Sequence, residues 1–316
     1  MAAVWLALAA PAAAGEPALG LPIGCDIGTV CHIQQYVDRD PGPDTQDYRC
    51  GNLSYDGHKG TDFAVPTRAD MVRGVQVLAS APGTVAAIRD GMPDTGLSED
   101  TAADIAGREC GNGVLIRHED GWETQYCHLR SGSVRVKRGD SVERGAPLGL
   151  VGQSGRAQFP HVHLSVRHDG AVVDPFDAAD TGTCRDEPHS LWLDPPHYRP
   201  GGLIAAGFAQ AIPDYDSVTA GTAGRETLPA DTPALVVFAL AFGGREGDIL
   251  SLAIDGPGGR LLARDMVLDR NQARFFRAAG KRRGDPPLPP GDYTGSIELR
   301  RGGAVLDRIA TQVTLN

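Results

Sequence analysis

The chain has 316 residues, 41% of them hydrophobic, with a formal net charge of −10 and an isoelectric point near 5.3. That length holds about two domains with ample core. The acidic balance argues against nucleic acid as a partner, and attraction to an anionic polymer would have to be local.

The amino terminus, Ala2-Ala-Val-Trp-Leu-Ala-Leu-Ala-Ala-Pro-Ala-Ala-Ala-Gly15, carries the apolar and cleavage regions of a signal peptide over residues 1–14, with Ala12-x-Ala14 as the cut site but no basic start. This run is too short to span a bilayer and nothing later is long enough. The mature protein is therefore expected to lack a membrane anchor and to be periplasmic or secreted. Residues 15–48 are rich in Pro, Gly and acidic side chains, as in Asp38-Arg-Asp-Pro-Gly-Pro-Asp44, and read as a loop-rich segment. Cys25, Cys31, Cys50, Cys110, Cys127 and Cys184 point to disulfides in an exported chain. The expected pairs are Cys25 with Cys31, Cys50 with Cys110, and Cys127 with Cys184, from proximity, flanking strands and elimination.

From residue 49 to 184 short β-rich runs alternate with turns, which predicts an all-β domain. His58-Lys-Gly-Thr-Asp62 leads into a strand at Thr61-Asp-Phe-Ala-Val65. Gly60 would let another backbone approach closely, and its presence beside β-branched residues argues against a helix. A loop from Asp90 to Glu109 follows, with Pro, Gly and acidic residues throughout. Val114–His118 and Trp122–His128 form a hairpin across Glu119-Asp-Gly121. Strand alternation places Trp122, Thr124, Tyr126 and His128 on one face, lining a groove, and turns Cys127 away. His118 on the same hairpin either approaches the site or makes a structural hydrogen bond. In His161-Val-His163 both imidazoles share a face; the bland alternative is two polar residues on a solvated strand. No His-Glu-x-x-His is present. Two imidazoles and a carboxylate at these spacings can converge on one zinc ion and leave a fourth position open.

Residues 185–230, including Asp194-Pro-Pro196, read as a linker, and 231–316 as an immunoglobulin-like β-sandwich. Leu250, Leu252 and Ile254 alternate with Ser251 and Ala253, and Tyr293, Gly295, Ile297 and Leu299 do the same after Pro289-Pro-Gly-Asp292. Substrate binding, docking of a protein partner, autoinhibition and simple stabilisation are all open roles for this domain.

The stretch from about Cys50 to Phe176 resembles the lysostaphin-type (LytM-like) zinc metallopeptidases, which cut peptide cross-links in bacterial cell walls. The resemblance rests on His58-x-Gly60-x-Asp62, Cys110-Gly-Asn-Gly-Val-Leu-Ile116 and Tyr126-Cys-His128-Leu129. It continues through Val136-Lys-Arg-Gly-Asp-Ser-Val-Glu-Arg-Gly-Ala-Pro-Leu-Gly149, Pro160-His-Val-His163 and Val173-Asp-Pro-Phe176, all in the family's order. It implies the duplicated hybrid motif fold and one zinc per chain, held by His58, Asp62 and His163. His128 and His161 would be the catalytic imidazoles, and peptidoglycan the substrate. Tyr55 and Tyr126 are further candidates for substrate or oxyanion contacts. A non-catalytic wall-binding or amidase-activating scaffold would be expected to lose ligands, and this chain keeps all three. A secreted protease acting on proteins is the remaining alternative.

Three departures stand out. The family usually has Ser-Thr-Gly-Pro where this chain has Arg156-Ala-Gln-Phe-Pro160, and Phe-Glu often where it has Leu164-Ser165; the Asp90–Glu109 loop is extra. All three are expected to bear on substrate preference without touching a ligand.

Overall fold

The structure is a computed structural model that describes residues 15–179 and 188–316; the expected signal peptide and Cys184 lie outside them. The first unit comprises β1 (His32–Gln35), β2 (Thr61–Ala64), β3 (Gln76–Leu78), β4 (Gly83–Arg89), β5 (Asn112–Arg117), β6 (Trp122–Leu129), β7 (Ser141–Val142), β8 (Pro147–Leu150), β9 (His161–His168) and β10 (Ala171–Val173). One sheet runs β1-β2-β9-β6-β5-β4-β7, with β10 on the far end of β9, while β3 pairs with β8.

Strand β9 shows how the sequence sets up the site. Val162, Leu164 and Val166 are at most 1% exposed and face the core, so His161, His163 and Ser165 face the other way. In register, Asp62 lies opposite His163 and Ala64 opposite His161. Directly opposed residues share a face, and this pairing sets the carboxylate beside the imidazole.

The hairpin of β5 and β6 departs from simple alternation. Cys127 pairs with His163 and Tyr126 with Leu164, so the even residues Trp122, Thr124 and Tyr126 face the core. His128 has φ 65°, a left-handed conformation uncommon outside Gly. That twist breaks the alternation and brings its ring to the face of His161 and His163. Tyr126 and His128 therefore do not share a face as expected.

The Cys25–Cys31 disulfide forms as anticipated, but a second one joins Cys110 to Cys127, with Cα atoms 4.8 Å apart. This overturns the expected Cys50–Cys110 and Cys127–Cys184 pairs: cysteines at the open end of one hairpin are far nearer each other than elimination could suggest. Cys50 is also disulfide-bonded.

The segment before residue 49 is not merely a loop. β1 pairs with β2, and both Tyr36 and Tyr48 pack with ring centroids 5.0 Å from Phe176. The second unit likewise begins earlier than its sequence pattern indicates. It contains β11 (Gly202–Ala209), β12 (Thr227–Leu228), β13 (Ala234–Gly244), β14 (Ile249–Gly256), β15 (Gly259–Val267), β16 (Gln272–Arg282), β17 (Gly291–Arg301) and β18 (Ala304–Leu315). The sheets β11-β13-β16 and β12-β18-β17-β14-β15 enclose Phe208, Val237, Leu252, Tyr293 and Ile297, an arrangement compatible with an immunoglobulin-like sandwich. β11 and β12 fall in the stretch read as a linker. Among the described residues no helix is long and apolar enough to cross a membrane.

The two units share buried surface. Phe242 of β13 is 0% exposed, joins the first unit's core and lies with its ring centroid 4.8 Å from that of His32. Gln34 donates to the Ala273 carbonyl at 2.9 Å. We predict that Phe242→Ala costs about 3–5 kcal/mol in urea unfolding. A loss below about 1 kcal/mol would mean that this ring sits in a site able to collapse, with little core shared between the units.

Candidate active site

Among the described residues, His58, Asp62 and His163 form one set of donor atoms lying within 4.8 Å of one another, and His128, His161 and His163 a second. The first triangle is tight. His58 Nε2 lies 3.2 Å from both Asp62 Oδ1 and His163 Nδ1, and the last two are 2.8 Å apart. Gly60 makes room for it: a Cβ there would fall 2.5 Å from His163 Nε2 and 2.6 Å from the Leu164 carbonyl oxygen. His128 lies 4.7 Å from His161 and 5.9 Å from His163 between ring centroids, completing the cluster.

Hydrogen bonds away from the triangle fix each ring's tautomer. A carbonyl only accepts, so the ring nitrogen bonded to it carries the proton. His58 Nδ1 donates to the Tyr36 carbonyl at 2.6 Å, His128 Nδ1 to that of Ser154 at 2.8 Å and His161 Nδ1 to that of Phe159 at 2.8 Å. Each therefore presents a bare Nε2 to the cluster. For His163 the order reverses. Ser165 Oγ spends its proton on the Lys59 carbonyl at 2.8 Å, so at 3.0 Å it accepts from His163 Nε2. That leaves His163 Nδ1 bare, facing Asp62.

Two bare ring nitrogens and a carboxylate oxygen in van der Waals contact repel unless a cation lies between them. Tetrahedral metal bonds of about 2.0–2.1 Å put ligand atoms about 3.3 Å apart, close to the distances found. The donor set fits a divalent metal ion.

The same short contacts also shift the titration of these groups. Burial pushes Asp62 up, but His58 and His161 outweigh it and hold the carboxyl well below the usual range. Burial pushes His58 down, yet the adjacent Asp62 charge leaves it above the ordinary histidine value. Burial, reinforced by His161 and His163, holds His128 well below that value, so its ring is neutral near pH 7.

The other sequence candidates divide. Tyr55 is 49% exposed and its ring centroid lies 4.3 Å from that of His58, at the rim. Tyr126 is 0% exposed and its hydroxyl accepts from Ser80 N at 2.6 Å, so the structure does not bring it to the site. His118 is held structurally, by the Pro82 carbonyl at 2.6 Å and Thr124 Oγ1 at 2.8 Å. Cys127 shares the face of His163, not the opposite one, with its sulfur committed to Cys110.

Sequence reasoning missed the supporting shell: Tyr36, Ser154, Phe159 and Ser165. The expectation that no departure touches a ligand is corrected by Ser165, which bonds His163; its place two residues along the same strand face was the available signal. Tyr36 and Ser154 act through carbonyls, which side-chain patterns do not encode. The extra loop is stitched into the wall beside the cluster. Asp94 accepts from Gln153 N and Ser131 N at 2.9 Å each, and Leu97 N donates to the Ala157 carbonyl at 2.9 Å.

Residues 56–175 match Peptidase family M23. Cell division protein DipM of Caulobacter vibrioides is 32% identical over 108 residues, covering 34% of this chain and 15% of that protein. DD-carboxypeptidase/endopeptidase Mpg of Neisseria meningitidis serogroup B is 33% identical over 124 residues, covering 39% and 23%. Peptidoglycan DD-endopeptidase ShyA of Vibrio cholerae is 32% identical over 121 residues, covering 38% and 23%. The chain thus spans less than a quarter of the length of each of these relatives.

Ser165→Ala removes the acceptor that keeps His163 Nδ1 bare. Metal affinity should fall by about 10–100-fold, read by competition with a chromophoric chelator. Unchanged affinity would mean that the His163 tautomer needs no help from Ser165.

Proposed function

We propose that this chain, whose residues 56–175 form a peptidase M23 domain, is a zinc-dependent endopeptidase acting on the peptide cross-links of bacterial peptidoglycan in the periplasm or outside the cell. The observation that carries this reading is the convergence of His58 Nε2, Asp62 Oδ1 and His163 Nδ1, flanked by His128 and His161 with their Nε2 atoms turned inward. His58, Asp62 and His163 would hold the metal. When bound, zinc would polarise the scissile carbonyl and acidify a coordinated water.

The chain's own groups do the rest. His128 is neutral and anchored through Nδ1, so its Nε2 is free to accept a proton from the attacking water. His161 is anchored in the same sense by Phe159 and presents Nε2 from the neighbouring strand. One imidazole takes the water's proton at Nε2, and as an imidazolium its Nε2–H can hydrogen-bond the developing oxyanion and then pass that proton to the leaving amine. Asp62 stays ionised throughout and keeps the charge of the ligand set fixed. Tyr55, exposed beside His58, is placed to contact the bound peptide. The relatives named as DD-endopeptidases support a cell-wall cross-link as the bond cut.

Purified, zinc-loaded mature protein should remove cross-linked dimers from sacculi, as read by mass analysis of the muropeptides. His128→Ala should retain zinc and lose turnover, whereas His58→Ala should lose zinc binding. Activity persisting in His128→Ala would remove that residue from the mechanism. An unchanged muropeptide profile with active-site zinc in place would favour a wall-binding scaffold or a protease with a protein substrate.

A further inference from the structure

We propose that Arg274 of the second unit is a positioning residue for His161, acting through Phe159. The inference rests on reading His161 as catalytic.

Phe159 holds His161 twice. Its carbonyl takes the proton of His161 Nδ1 at 2.8 Å, and its ring packs 4.5 Å from the imidazole between centroids, at an interplanar angle of 31°. Arg274 in turn holds Phe159, with its Cζ 4.8 Å from the Phe159 ring centroid. The same guanidinium donates from Nη2 to the Pro66 carbonyl at 3.3 Å, just past the end of β2, while Val65 N bonds the Pro160 carbonyl at 3.2 Å. One side chain on β16 therefore fastens the end of β2 to the start of β9, the two strands that carry Asp62 and His161.

Arg274 is poorly provided for in every other respect. Its Nε is buried without a hydrogen-bond partner, and among the described residues no carboxylate pairs with it. Burial lowers its pKa to about 10, which leaves it charged at neutral pH. A half-buried cation whose Nε is buried without a partner, and which has no counter-ion, is costly, and the face of an aromatic ring is the main compensation present. The ring departs from the usual family pattern, since Phe159 stands where that pattern has Gly. An aromatic side chain at that position gives the second unit something to press on, and through it a route to the imidazole. His161 Nε2 then lies 3.4 Å from Asp62 Oδ1.

The test uses the full chain with 15N-labelled histidine. Long-range proton–nitrogen spectra, taken metal-free and zinc-loaded, read each ring's tautomer directly. In Arg274→Ala the His161 signals should change from a single Nδ1-protonated form to an average of two tautomers, with those of His58 and His163 unmoved. In the active enzyme kcat should fall about 10–100-fold, with KM and zinc affinity within twofold of the parent. Arg274→Lys, which keeps a cation over the ring, should restore part of the loss. Arg245→Ala is the control, because Arg245 joins Asn52 across the same two units at 2.8 Å but does not lead to His161. Should Arg274→Ala fail to fold, Phe159→Leu removes the ring and keeps its apolar bulk, and the same change at His161 is expected.

Unchanged His161 signals in Arg274→Ala, or in Phe159→Leu where that variant stands in, would overturn the proposal. An equal disturbance in Arg245→Ala would do so as well, by reducing the effect to general docking of the units. If the parent protein proves to have no peptidase activity, the catalytic reading fails while the spectra still decide whether Arg274 governs His161.

Discussion

Everything at this site depends on one cross-strand pair. Asp62 on β2 stands opposite His163 on β9, with Asp62 2% exposed. A slip of one residue in that register would turn the carboxylate or the imidazole into the core and bring an apolar residue to the site. The register is held by the layer beneath, where Phe63 pairs with Val162 and both are fully buried. The hydrophobic face thus specifies the polar one. Burial also makes the arrangement all-or-none, because a buried carboxylate that loses its neighbours is strongly destabilising.

Around this pair, backbone carbonyls do much of the orienting. Tyr36, Ser154 and Phe159 each dedicate a carbonyl to one imidazole, and Ser165 relays a fourth from Lys59. These acceptors come from segments far apart in sequence, so the site is assembled by the fold as a whole. The second unit takes part, since Phe242 completes the first unit's core and β16 packs beside the start of β9. The extra loop near residues 90–109 is tied to the wall beside the cluster, where Asp94 accepts from the Gln153 amide next to Ser154.

How much of this was legible in the sequence follows from the range of each interaction. The alternation of His161 and His163, the role of Gly60 and the all-β pattern are local, and the strands realise them directly. The face of Tyr126 was misjudged because alternation was carried through His128, whose left-handed backbone is a tertiary effect with no glycine to announce it. The second disulfide was misassigned for a related reason: Cys110 precedes β5, where Gly111 turns with φ 63° and the His128 amide bonds the Cys110 carbonyl, a tertiary placement beside Cys127 that strand patterns do not encode. Phe159 and Ser165 were visible as departures from a family pattern. Their function appeared only once their neighbours in space were known.

The Cys110–Cys127 bridge lies at the doorstep of the chemistry. It adjoins His128 directly, and the His128 amide donates to the Cys110 carbonyl at 2.8 Å. A left-handed residue between a disulfide and a strand end keeps its strained conformation only while its surroundings enforce it. The bridge therefore serves as a brace: it ties the residue before His128 to the chain ahead of β5 and so keeps the left-handed turn that delivers the imidazole to the cluster.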